Sequence, residues 1–283
     1  MADVAAQTPR MPSAGRWRSL ADVYVARSKT SIQLAVQYRF NLVVDLVLTT
    51  AEPIVYLAVW QLVANSSGGE VDGFTSGRFA AYYVTFGFVR LCMQSGSPGN
   101  WQHLVQRGDL SGYLLLPLHP VHIDMATWLG FCLARAVAWV PVGAILVVAY
   151  RPDFDTSVWQ VAAFIASLVP ALVMRTLIND IIGMTSFWFV SIVAIDGVMR
   201  IAENLLSGRI VPPDLLPGWA QTLSKALPFE WGFAFPIEAL IGPISTAALL
   251  RGLAMQLLWV VVLWMLMRLV WRRGVRRYGA VSG

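Results

Sequence analysis

The chain has 283 residues, 57% of them hydrophobic and 13% charged, with a formal net charge of +5. A soluble domain carries about 25% charged residues and has no interior large enough for this much apolar surface, so the composition excludes an ordinary soluble enzyme. The basic excess gathers at the two ends instead of forming one patch, which marks membrane topology and excludes a nucleic-acid surface.

In chain order, residues 1–16 read as a flexible N-terminus, and the first forty contain no apolar run that would form a cleaved signal peptide. Residues 17–38, WRSLADVYVARSKTSIQLAVQY, mix basic residues with Trp17, Leu20, Tyr24, Ile32 and Val36. That mixture predicts an amphipathic helix on the inner leaflet. Residues 41–63 are long enough to cross a hydrocarbon core of about 30 Å. The polar stretch 65–77 is a loop, and a second span covers 79–98, with Arg90 inside it and SGSPGN at its end. The third span, 123–149, contains Arg135 and Pro141; a polar turn, 151–157, leads to the fourth, 158–178. A fifth is expected at 181–206 and a sixth at 247–271. Cys92 and Cys132 both fall in apolar stretches and are expected as free, buried thiols.

Between the last two spans, residues 207–245 alternate prolines and glycines with apolar pieces too short to cross. Broken, half-inserted helices satisfy that pattern, because irregular backbone at membrane depth must be covered by protein or line a cavity. Arg10, Arg16, Arg18, Arg27, Lys29 and Arg39 precede the first span, and Arg272, Arg273, Arg276 and Arg277 follow the last. With an even span count, the positive-inside rule puts both termini in the cytoplasm. The 99–122 connection then faces inward, while 65–77, 151–157 and 207–245 face outward. Lysine occurs only as Lys29 and Lys225 against a large excess of arginine, a bias that suggests a GC-rich bacterial genome.

Charges inside the spans are the first functional pointers, since each costs several kcal/mol unless paired or hydrated. Asp196, Arg200 and Glu203 recur at i, i+4 and i+7 and are expected to share one helical face. Asp45 and Glu52 raise the same question on the first span, with Arg135 as a partner for one of them; Pro53 marks a site where that helix can bend. His119 and His122, near Asp109 and Asp124, have the spacing of a metal pair, but Pro120 between them breaks the helix that would set their geometry, and no metal is expected. Trp17, Trp101, Trp159, Trp219 and Trp271 fall near span ends, as an aromatic belt does. Phosphate-loop, nucleophile-elbow and zinc-helix motifs are absent, so the chain is not expected to hydrolyse ATP itself.

The stretch QRGDLSGYLLLPLHPVH, 106–122, is both charged and apolar, more than a passive turn requires. Its Gly108, Asp109, Leu110, Leu114, Leu115 and Pro117 resemble the first cytoplasmic loop in permease subunits of bacterial ABC exporters of the second type. QYRFN, 37–41, is similar to that family's entry into its first span. The segment 205–242, with Gly208, Pro212, Pro217, Trp219, Pro228 and Phe229, resembles its outer segment. Leu116 stands where this branch often has a basic residue. The resemblance implies an all-α permease of six transmembrane helices, an N-terminal amphipathic helix, a coupling helix and broken outer half-helices. It further implies a second permease subunit, itself or a related one, and two separate ATP-binding subunits holding ATP and magnesium. In this setting the leucines fill a groove on the ATPase, while Arg107 and Asp109 set the register. The rival reading is a self-sufficient secondary transporter or membrane enzyme that uses the Asp196/Arg200/Glu203 face. The transported substrate is left open by both.

Overall fold

The computed structural model describes residues 20–242 and 244–281, with side chains as far as Tyr278. The expected flexible stretch 1–16, together with Trp17 and Arg18, lies outside the described residues. The chain is helical almost throughout. Four helices are long and apolar enough to cross a membrane among the described residues: α2 (Arg39–Ser66), α6 (Pro120–Tyr150), α7 (Val158–Met184) and α12 (Thr246–Val281). They match the expected first, third, fourth and sixth spans.

The other two expected spans come out differently. The second is α3 (Ser76–Cys92), which ends well before residue 98 and is buried along nearly its whole length against α2, α6 and α11 (Ala234–Ile241). The fifth is divided. Helix α7 runs on to Met184, a single 3-10 turn follows at Thr185–Phe187, and α8 starts only at Val193 and stops at Leu206. The 65–77 loop carries a two-stranded hairpin, β1 (Glu70–Val71) and β2 (Phe74–Thr75), turned by Asp72 and Gly73 at positive φ. An Asp-Gly pair is the sequence such a two-residue turn demands.

The contacts sort the connections into two ends. At one end Asp153 N–H donates to the Gly77 carbonyl at 3.1 Å, and the Gln160 amide donates to the Gly242 carbonyl at 2.7 Å. At the other, Tyr278 donates to the Gly108 carbonyl at 2.9 Å and the His119 ring lies 4.5 Å from Trp271. The 65–77, 151–157 and 207–245 segments therefore share one end, and the 99–122 connection shares the other with the C-terminal helix.

Helix α1 (Leu20–Gln37) runs lengthwise along the start of α6. Its buried residues are the small Ser28, Ser31 and Ala35, whereas Leu20 and Val36 of the expected apolar stripe are exposed. Ser28 Oγ donates to the Ala126 carbonyl at 2.8 Å, and a Cβ on Gly130 would sit 2.4 Å from the Ser28 carbonyl oxygen. Small residues let two helices approach closely, the usual means of association in lipid. Gly130→Ala should therefore push α1 off α6 and lower stability by about 1–3 kcal/mol, read as a lower unfolding temperature in detergent. Gly197→Ala on α8, where nothing lies within 4 Å, should leave it unchanged or slightly raised.

Candidate functional site

The connection between α3 and α6 is built as a stalk and a tip. Ser97 caps α4 (Pro98–Arg107) by accepting the Gly99 N–H, with Pro98 in the first turn. Trp101 on α4 is buried, and its indole N–H donates to Asp180 Oδ1 of α7 at 2.8 Å. It is a core anchor, a correction to its reading as a belt residue; Trp159 and Trp219 are exposed as a belt requires. Gly108 ends α4 at φ +82°, a conformation that costs any residue with a Cβ. Its carbonyl takes Tyr278 of α12, so the turn is pinned from outside.

The short α5 (Leu110–Leu114) follows. Asp109 stands at its N-cap position, but its side chain makes no capping hydrogen bond. Leu110 is fully buried beside Trp101, Val121 and Met125, so it belongs to the base of the tip and not to the outward stripe. Leu114, Leu115 and Leu116 are exposed in succession, Leu115 to 87%, flanked by exposed Arg107, Asp109 and Pro117.

The two histidines behind the tip serve packing. His119 Nδ1 accepts the Val121 N–H at 3.3 Å and caps α6, while His122 Nδ1 meets the Tyr24 hydroxyl at 3.1 Å. No cluster suited to a metal occurs among the described residues. Burial, then His122 and Arg268, push the His119 imidazole down to about 4. The folded state thus prefers the neutral ring, which alone can accept at Nδ1. Its contribution is complete above the ordinary value near 6.5 and is lost as pH falls toward 4. His119→Asn, which caps without titrating, should flatten the acid side of a plot of unfolding temperature against pH.

The intramembrane charges are paired, though not as their spacing suggested. Arg135 Nε donates to Asp45 Oδ2 at 3.2 Å, and Gln94 adds a bond to Asp45 at 3.3 Å. Glu52 pairs with Arg90 at 2.5 Å and with Arg209 at 3.6 Å. Arg200 and Asp196 pair at 2.9 Å, while Glu203, on the same side of α8, pairs instead with Arg175 of α7, with Arg209 3.8 Å away. The expected triplet is therefore a doublet plus a separate chain, Arg90–Glu52–Arg209–Glu203–Arg175. The spacing was helical as read; the nearer partner came from another helix. A lone arginine in an apolar span, as Arg175 is, was the signal that could have identified it. The gap bounded by Arg175, Asp196, Arg200 and Glu203 holds ≈ 10 Å³, room for about one water.

The outer segment folds down onto this chain of charges. Gly208, at φ +83°, lets Tyr82 donate to its carbonyl at 2.8 Å, where a Cβ would meet the same hydroxyl at 2.6 Å. Tyr83 and Trp60 both donate to the Ile210 carbonyl, at 2.8 and 3.0 Å. Pro212 and Pro228 are buried, Pro217 opens α9 (Gly218–Ala226), and Phe229 is buried in α10 (Pro228–Gly232). Ser224 Oγ lies 2.7 Å from the Leu206 carbonyl and 2.6 Å from Glu230 Oε2. One hydroxyl proton serves only one of these, so the second bond needs a protonated carboxyl, and burial raises Glu230 in that direction.

A family model described as ABC-2 family transporter protein matches residues 50–282, which takes in the tip, the paired charges and the outer segment. The chain belongs to this family. No curated protein matches it. The permease is thus the multi-pass membrane component of an ABC transporter, a family whose members associate with ATP-binding subunits and are not themselves catalytic.

Within the permease, Glu203 is 5% exposed and Arg200 is 59% exposed. Arg175→Leu should strand the buried Glu203 and cost roughly 3–5 kcal/mol. Arg200→Leu, which frees a pair open to its surroundings, should cost below about 1 kcal/mol. Thermal unfolding in one detergent compares the two directly.

Proposed function

We propose that the chain is the permease subunit of an ATP-driven exporter in a bacterial inner membrane. Two permease subunits, identical or related, surround one pathway, and two ABC ATP-binding subunits holding ATP and magnesium dock beneath. In this reading α3 and α8 complete six crossings with α2, α6, α7 and α12, and both termini lie in the cytoplasm. At ~1.5 Å per residue the 14-residue α8 is short for a span, and the outer segment descends to meet its end.

The observation that carries the reading is the tip. Three successive exposed leucines, Leu114, Leu115 and Leu116, stand at the end of the molecule that holds the basic C-terminal helix. We read their cover as a protein groove, which can fit the leucines and pair the flanking Arg107 and Asp109. Leu110 and Tyr278 fix the base, so a push on the tip passes through α4 and the Trp101–Asp180 bond into α7. Closure of the ATPase pair would in this way rock the helices around the pathway. The rival reading as a self-sufficient transporter needs Asp196, Arg200 and Glu203 to act together, whereas Glu203 is engaged by Arg175 of α7.

Leu114→Ser with Leu115→Ser should leave the permease inserted and paired but lose the ATPase during purification and abolish transport. A double variant that keeps its ATPase and transports normally would overturn the coupling role. Topology is tested separately: cysteines placed at Ser67 and Asp155 should react with an impermeant thiol reagent on intact cells, and one at Gly112 should not. Labelling at Gly112 would put the tip outside and remove the exporter reading.

A further inference from the structure

Between α1, α2 and α6 lies a cleft of ≈ 350 Å³ that neither the tip nor the charge chain uses. Its volume falls in the range of about 300–1,000 Å³ typical of small-molecule sites. The walls are apolar, from Leu34, Leu42 and Phe131, and the polar groups converge at one end: Tyr38, Asn41 and the Asp45–Arg135 pair. Leu34 and Tyr38 of the lining are themselves exposed, so the cleft opens to the surroundings of the helix bundle.

The polar end has donors to spare. Asp45 is already occupied by Arg135, Gln94 and Thr49. Arg135 gives only its Nε–H to that carboxylate; among the described residues its other N–H groups have no hydrogen-bond partner, and Nη1 is buried. The guanidinium is held 5.7 Å from the Phe131 ring and 5.8 Å from that of Trp128, which fixes its plane. Neither the Asn41 amide nor the Tyr38 hydroxyl makes a side-chain hydrogen bond among the described residues. Such a surplus of donors, led by the free N–H groups of Arg135, calls for an oxyanion, and the apolar walls call for a chain attached to it.

We propose that this cleft binds an anionic amphiphile: a phosphate or carboxylate head on Arg135, Asn41 and Tyr38, and a hydrocarbon chain along Leu34, Leu42 and Phe131. The chemistry is common to a bilayer phospholipid and to a free single-chain anion. It is independent of ATP coupling, so a failed coupling-helix experiment leaves it standing.

The test uses the full-length permease in phosphatidylcholine nanodiscs and a dodecyl phosphate carrying a photoreactive diazirine on its chain, with labelled peptides mapped by mass spectrometry. Label should concentrate on residues 34–45 and 131–135. Leu42→Trp, which fills the cleft without touching a charge, should lower it by about tenfold. The paired change Asp45→Asn with Arg135→Gln removes both charges together and should do the same, while both variants keep a normal unfolding temperature. Unlabelled dodecyl phosphate should compete and dodecyltrimethylammonium should not. Competition by phosphatidylglycerol as well identifies the occupant as a bilayer lipid; competition by dodecyl phosphate alone identifies a free single-chain anion. Label that is scattered over the helices, indifferent to Leu42→Trp, or displaced equally by the cation overturns the proposal.

Discussion

An unpaired charge at membrane depth costs several kcal/mol, and this permease joins five charged side chains in one connected run of ion pairs: Arg90, Glu52, Arg209, Glu203 and Arg175. They come from α3, α2, the segment after α8, α8 itself and α7. None can move far without uncovering another. The outer segment is therefore tied into the bundle through Arg209, and the tyrosine and tryptophan bonds to Gly208 and Ile210 close the same joint from α2 and α3. The short α8 follows from this arrangement, since the chain must leave the helix early to bring Arg209 between the two glutamates.

Helix α7 is the member that both ends share. Near its start Gln160 holds Gly242 of the outer segment, in its second half Arg175 holds Glu203, and near its end Asp180 holds Trp101 of the stalk. A displacement of the tip therefore meets a stiff helix that also carries the charge chain. The Asp45–Arg135 pair stands apart from it, joining α2 to α6 at the polar end of the cleft. It links two helices as the charge chain does, but leaves Arg135 N–H groups without a partner among the described residues.

Much of this was legible in the sequence because length and apolarity are enough for a span: the long runs became α2, α6, α7 and α12 close to their expected limits. The break inside 181–206 was not legible. The residues that interrupt it, Phe187 to Ile192, are as apolar as their neighbours and contain neither glycine nor proline, so nothing in composition marks the end. The stalk helix was missed for the opposite reason: it is polar outside and begins at Ser97-Pro98, a capping signal hidden in what reads as a loop. Leu114 and Leu115 were read as exposed and are, but Leu110 was placed with them because periodicity says which residues share a face and not which face turns inward. For α1 the apolar stripe was the misleading cue, as small residues, not large ones, make its contact with α6. Glu203 shows the same limit for charge: spacing fixes a helical face, whereas a partner on another helix is invisible until the fold supplies it.

The claim on which the rest leans is that Arg175 and Glu203 hold each other across α7 and α8. Exchanging them tests it: thermal unfolding is compared for Arg175→Glu, for Glu203→Arg and for both together. Each single change puts like charges in contact and should lower the unfolding temperature sharply, and the double change should recover most of the loss. A double variant as unstable as the two losses added together would contradict the pairing, and with it the charge chain that ties the outer segment to the bundle.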